Sequence, residues 1–166
     1  MPGSILVGYA TRSGSTREIA QAIGETLRAG RREVDVRPLK EVRSLEGYQS
    51  VVLGAPFFMF RWHKDAVGFL SRHKGALATR PTAVFALGPF HDEEKEWNDV
   101  RGQLARELTR YPWFSPIASE VFGGKFDPAG LGFPWSMIPA LKRMPPTDIR
   151  DWAAIRKWAQ KLSPLL

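Results

Sequence analysis

The chain of 166 residues contains no cysteine, so disulfides, cysteine-ligated metals, iron–sulfur clusters and cysteine nucleophiles are excluded at once. It also lacks any run near the ~18 consecutive apolar residues that a membrane-spanning helix requires, and no basic region precedes its short first apolar stretch. A soluble, cytoplasmic protein is expected, with at most a peripheral contact at the inner face of a membrane. Acidic residues are the minority, 17 against 24 lysines and arginines, which leaves a formal charge of +7. Such a surface draws nucleic acid, anionic membranes or anionic substrates. The basic residues are dispersed rather than gathered into one arm, so nucleic acid is not expected as a partner. Histidine is scarce: His63, His73 and His91 are the full set, and no metal site is expected.

What is present is an alternation of two patterns. Continuous short apolar runs at Ser4–Tyr9, Ser50–Ala55 and Pro81–Gly88 predict strands buried on both faces, with weaker candidates at Glu33–Arg37 and Ser119–Phe122. Pro56 is expected to end the third strand. Helical spacing runs through Thr16, Ile19, Ala20, Ile23 and Leu27, with Gly30 as the stop. Further helices are predicted at Asp65–His73, at Asp92–Thr109 with acids in its first turn, and from Thr147 or Asp148 through Trp152, Ile155, Ala159 and Leu162. Strands alternating with helices imply one α/β domain over residues 1–166, a parallel sheet with helices on both faces. The Gly-, Pro- and aromatic-rich stretch 123–146 is too long for an ordinary connection and stands as an insertion.

The sequence YATRSGSTREIA places Thr11–Thr16 directly after the first strand, at the sheet edge where ligands bind in open parallel folds. Free amides at a helix N-terminus and the hydroxyls of Thr11, Ser13, Ser15 and Thr16 suit a phosphate, and Gly14 permits the turn. Neither the G-x-G-x-x-G fingerprint nor Gly-Lys-Ser/Thr is present, so a monophosphate fits better than a dinucleotide or a triphosphate. The plainer alternative is a helix capped by Ser13 or Ser15. Two other loops at the same edge, PFFMFRWH (56–63) and GPFHDEEKEW (88–97), are aromatic where loops are usually polar. They either close the top of the core or stack on a planar ring. With the phosphate loop beside them, flavin mononucleotide (FMN) is the expected cofactor.

These residues resemble a known family. The stretch YATRSGSTREIAQAI is similar to the phosphate loop and first helix of flavodoxins. VVLGAPFFMFRWHKDAVGFLSRH, VFGGKFDPAGLGF and DIRDWAAIRKWA extend the likeness to the flavodoxin-domain proteins related to menaquinone-dependent protoporphyrinogen oxidases. The resemblance implies a five-stranded sheet of order 2-1-3-4-5. It implies FMN phosphate on Thr11, Arg12, Ser13, Gly14, Ser15 and Thr16. The flavin ring would lie along Pro56, Phe57, Phe58, Met59 and Phe60, with Leu87, Gly88, Pro89, Phe90 and His91 at its other edge. Bulky Phe60 departs from the small residue the family favours near the flavin.

Electron-carrying flavodoxins are acidic, and a basic surface opposes docking on their basic partners. An FMN-dependent oxidoreductase is therefore expected, taking electrons from a reduced substrate such as a porphyrinogen and giving them to a quinone or another redox partner. The alternatives are a basic electron-transfer flavodoxin and a flavin-binding remnant used for protein contacts. Segment 123–146 joins Phe126, Leu131, Phe133, Trp135, Met137, Ile138 and Leu141 to Lys125, Lys142 and Arg143. It suits an anionic membrane surface, a quinone or a porphyrinogen, or else a core plug or dimer contact. His63 and His91 are candidate proton shuttles, or solvated bystanders.

Overall fold

The computed structural model describes residues 3–58 and 60–166. Its first strand, β1 (Ser4–Tyr9), alternates faces: Leu6 packs with one buried cluster, Ile5 and Val7 with the other. A strand buried on both sides needs cover on both sides, and the helices supply it. α1 (Ser15–Ala29) brings Ile19, Ile23 and Leu27 to one face of the sheet. Burying side chains of this kind stabilises by about 1.5–3 kcal/mol each.

After β2 (Val34–Pro38) comes β3 (Tyr48–Phe58), which turns back on itself through a two-residue strand, β4 (Arg61–Trp62). Helices α2 (Lys64–Arg72) and α3 (Lys74–Ala78) put Phe69, Leu70 and Leu77 on the opposite face from α1. Strand β5 (Thr82–Leu87) is buried throughout, and α4 (Glu94–Thr109) returns over the α2 face to β6 (Ala118–Phe122). The five parallel strands lie in the order β2-β1-β3-β5-β6, the 2-1-3-4-5 order of a flavodoxin-like fold, with β4 antiparallel to β3 as an addition.

Pro56 does not end its strand: it pairs with Leu87 of β5, and the strand runs on to Phe58, with Phe57 and Phe58 paired to β4. The reason is position. Ala10 N–H to Gly54 C=O, at 2.9 Å, is the last rung β1 supplies, so the missing N–H of Pro56 removes no bond from that ladder.

Beyond β6, β7 (Lys125–Phe126) pairs antiparallel with β8 (Thr147–Asp148), and single turns and the four-residue α5 (Pro139–Lys142) fill the stretch between. The last helix, α6 (Trp152–Leu162), therefore begins later than Thr147 or Asp148. Asp148 is bound instead to Arg150, through Nε at 2.9 Å and Nη2 at 2.8 Å, whereas Asp151 is free to accept from Ala154 N–H at 3.0 Å and acts as the cap. Likewise α4 starts at Glu94 rather than Asp92, whose carboxylate accepts from Trp97 Nε1 at 2.8 Å. Within 123–146 Phe126 is the one large apolar side chain that reaches the core, so the segment is not a core plug.

Gly54, in the middle of β3, is where packing is tightest: a Cβ there would stand 1.8 Å from Cζ of Phe85 on β5. Gly54→Ala is expected to lower stability by about 1–3 kcal/mol, as overpacking does. Urea denaturation measures this, and an unchanged midpoint would mean that the Phe85 ring is free to shift.

Candidate functional site

The loop between β1 and α1 is shaped by its own polar groups. Gly14 takes a left-handed φ of 96° and its N–H donates to Thr11 Oγ1 at 2.8 Å. Gly14 is the N-cap residue, so neither Ser13 nor Ser15 caps the helix, and no side chain bonds to its first amides. The first N–H with a helical partner is that of Glu18, to Gly14 C=O at 3.2 Å. The amides of Ser15, Thr16 and Arg17 find no partner among the described residues, as the start of a helix leaves them. Thr16 adds a buried Oγ1 that also lacks a partner. A buried unsatisfied hydroxyl costs about 1–3 kcal/mol, and an anion at this point would satisfy it together with the amides.

Beside the loop lies a slot of about 240 Å³, walled by Arg12, Phe58, His63, Phe90, Lys125 and Trp135. Phe58 meets Trp135 edge-on, with centroids 5.0 Å apart at 81°, and Phe90 tilts toward Phe58 at 6.3 Å and Phe126 at 5.2 Å. The Arg12 guanidinium lies 4.8 Å from the Phe58 centroid and 5.9 Å from that of Trp135. Partial burial there pushes its pKa down. A planar cation thus stands where a planar ring would stack. The slot is smaller than the ~300–1,000 Å³ usual for ligand pockets. Withdrawing the long, exposed Arg12 side chain enlarges it, and the chemistry of its walls fits a flavin.

A flavodoxin domain family model matches residues 6–145, most of the chain. The chain belongs to the flavodoxin domain family. The cofactor of these flavoproteins is FMN. Protoporphyrinogen IX dehydrogenase (quinone) of Escherichia coli strain K12 is similar end to end, 23% identical over 171 residues that cover 96% of this chain and 94% of its own. In architecture the chain is similar to oxidised flavodoxin 1 of Bacillus cereus, with TM-score 0.64, 17% identity and coverage of 98% and 99%. Flavodoxin 2 of the same organism gives 0.62 at 19% identity, with the same coverage.

Within this flavodoxin-like frame the residues singled out by sequence separate into groups. Arg12, Ser13, Ser15, Pro56, Phe57, Phe58 and Phe90 line the slot. Thr11, Gly14 and Thr16 build the loop beside it. Leu87 is buried in the core under the slot. Gly88, at φ 104°, and Pro89 are spacers: Gly88 N–H donates to Phe122 C=O at 3.1 Å, and Pro89 C=O accepts from Gly124 N–H at 2.8 Å. Phe60 and His91 are not among the slot's lining residues. Met59 lies outside the described residues.

The slot's far wall is a part that the sequence does not assign to the cofactor: Lys125, Phe126, Asp127, Gly130, Leu131, Gly132, Phe133 and Trp135, all from 123–146. Their readable signal is Gly123-Gly124. A Cβ on Gly124 would come within 3.2 Å of Gly88 Cα, so this chain crosses flush against the loop after β5. The other end of the segment is held by Arg150, whose side chain is 5% exposed and whose Nη1 reaches Glu18 Oε2 at 2.8 Å.

His91 Nδ1 lies 2.8 Å from Glu96 Oε1, and its backbone N–H donates to Glu96 Oε2 at 3.1 Å. His63 lines the slot, and its Nδ1 accepts from Asp65 N–H at 3.1 Å to cap α2. In the neutral ring the proton is therefore on Nε2. Burial pushes the His63 pKa down, opposed by Asp65, and burial also pushes down that of His73, whose Nε2 lies 3.3 Å from Val42 C=O. Between these lowered values and the usual 6.5, the unfolded chain binds more protons than the folded one. Stability contributed by the neutral rings is thus present above that interval and lost as pH falls through it. The thermal midpoint should drop between about pH 7 and pH 5, with a shallower slope in His73→Gln; equal slopes would place the titration elsewhere.

Proposed function

We propose that the chain is an FMN-dependent oxidoreductase that takes electrons from a reduced substrate, with a porphyrinogen as the candidate class, and passes them to a quinone-type acceptor. The observation that carries the cofactor half is the partnerless Thr16 hydroxyl beside uncapped helix amides, in a loop whose Arg12, Ser13 and Ser15 line a slot walled by Phe58, Phe90 and Trp135. In this reading Thr11–Thr16 holds the phosphate, Pro56–Phe58 and Phe90 flank the ring, and Trp135 closes over it. Segment 123–146 then acts as an insertion within one domain spanning residues 1–166.

Bound FMN would supply the acceptance and release of electrons. The protein's part is binding, orientation and exclusion of water. Arg12 must leave the slot, and its cation is then free to meet the phosphate. His63 presents a protonated Nε2 at the slot wall, able to donate to a carbonyl or ring nitrogen placed there.

The acceptor half is supported by the end-to-end similarity to a quinone-dependent dehydrogenase and by the outer side of 123–146. Met137 is 71% exposed, with Lys142 and Arg143 exposed nearby in the chain, and Phe133, though it also lines the rim of the slot, is 81% exposed. An apolar point with basic neighbours suits the cytoplasmic face of an anionic membrane holding a quinone. A basic electron-transfer flavodoxin is the second reading, favoured by the end-to-end likeness to flavodoxins.

Two measurements test this. Thr16→Val should weaken FMN binding by about 1.5–3 kcal/mol, the value of a hydrogen bond to a charged group, read by quenching of flavin fluorescence. The cofactor-free variant should be as stable as the parent or more so, because the orphaned hydroxyl is gone; unchanged FMN affinity removes the phosphate from this loop. For activity, protoporphyrinogen added anaerobically should bleach the FMN-loaded protein, and menaquinone in anionic vesicles should restore the colour more slowly in Met137→Ser. A flavin that donor leaves oxidised, yet that exchanges electrons with redox proteins, decides for the carrier.

A further inference from the structure

A second and larger cavity, about 860 Å³, opens on the other side of the β3–β4 turn, between that turn, α2 and α4. Its polar lining is one-sided. Arg61 and Lys64 come from β4 and the start of α2, Arg106 from the last turn of α4 and Arg110 from the residue just after it, and Glu107 is the only acid among the described residues lining it. Glu107 is already committed: its carboxylate accepts from Tyr111 O–H at 3.0 Å and lies 3.5 Å from Arg110 Nη1, with 10% of the side chain exposed. Arg61 and Lys64 have no side-chain partner among the described residues.

The apolar lining is unusual as well. Phe57 and Trp62 stack at 6.0 Å and 17° to form one buried wall. Phe60 stands in the left-handed region at φ 66° and is 80% exposed. An aromatic residue with that backbone is strained, and an exposed ring recovers nothing by burial. Neither term favours folding, which points to a use for the ring in binding.

We infer that this cleft binds a planar, apolar-faced small molecule carrying at least two separated carboxylates, with its ring against Phe60 and its carboxylates on Arg61 and Lys64 at one wall and Arg106 and Arg110 at the other. The volume is that of a single small-ligand site rather than a strip for a polymer. Guanidinium forks on two elements match separated carboxylates, which they hold through paired hydrogen bonds. Phe57 lines both cavities, so an occupant lies one hairpin away from the slot. Its link to electron transfer rests on the oxidoreductase reading; its binding does not.

The test is calorimetric titration of naphthalene-1,4,5,8-tetracarboxylate into the cofactor-free and the FMN-loaded protein. Binding of both forms is expected, with affinity reduced at least ~tenfold in Arg61→Gln/Arg106→Gln. Arg156→Gln/Lys157→Gln, which removes the same charge from exposed positions on α6, should change it less than ~twofold. Phe60→Gly should weaken binding by ~threefold or more with no fall in thermal midpoint, since glycine relieves the backbone. Absence of binding, equal weakening by both double variants, or displacement of the probe by inorganic phosphate or oligothymidylate at equal concentration would overturn the assignment. So would displacement by FMN, which would put the probe in the slot. FMN affinity, measured in the same variants, should stay constant; its loss in the parent would sink the cofactor reading and leave the cleft standing.

Discussion

Each strand of a parallel sheet is entered from the same end, so every connection must cross back over a face and the loops that leave the strands collect at one edge. That constraint positions everything of functional interest in this chain. The first loop brings hydroxyls and bare amides, the end of β3 brings Phe58, the loop after β5 brings Phe90, and none of these is near another in sequence. The same edge would be open on its far side but for two adjacent glycines. A Cβ on Gly123 would meet Ile149 C=O at 2.3 Å, and one on Gly124 would crowd Gly88. Because both lack one, the chain after β6 passes directly over the edge and carries Lys125, Phe126 and Trp135 to the slot.

How much of this was legible depends on the range of the forces involved. Runs such as SVVLGA and PTAVFALG announce buried strands because burial on both faces leaves no room for polar residues, and the hydroxyl-rich loop is written in consecutive residues. The two-residue pairs β4 with β3 and β7 with β8 carry no periodicity, and they form only because distant parts of the chain meet. The start of α6 turns on a competition among acids: Arg150 occupies Asp148, so Asp151 caps. No local pattern records that outcome. Phe57 and Phe58 are neighbours with the same side chain, yet strand alternation sends one toward Trp62 and the other toward Trp135.

The site was legible in its polar half and obscure in its aromatic half for a related reason. The proposed phosphate site rests on backbone amides and short side chains fixed by the loop itself. The proposed ring site rests on walls assembled from three separate segments, and segment 123–146 reads in sequence as suited to a membrane surface, a quinone or a porphyrinogen, or as a core plug or dimer contact, not as a wall for the cofactor. Charge is equally ambiguous when summed. The total of +7 describes the whole surface, while four of the cations sit around one cleft that contains a single, already neutralised acid. A local excess of that kind focuses the field on one small volume, which a net count cannot express.

Arg12, resting against Phe58 and Trp135, changes what loading the slot means. On the proposed reading, a cofactor would enter there by exchange rather than by filling a void, since one flat π-partner would replace another. Until it arrives the guanidinium lies against both rings, which reduces the apolar face they present to other molecules. Measured affinity is then a difference between two stacked states, lower than the contacts in the loaded state alone would suggest, and the displaced guanidinium becomes a mobile positive charge at the rim.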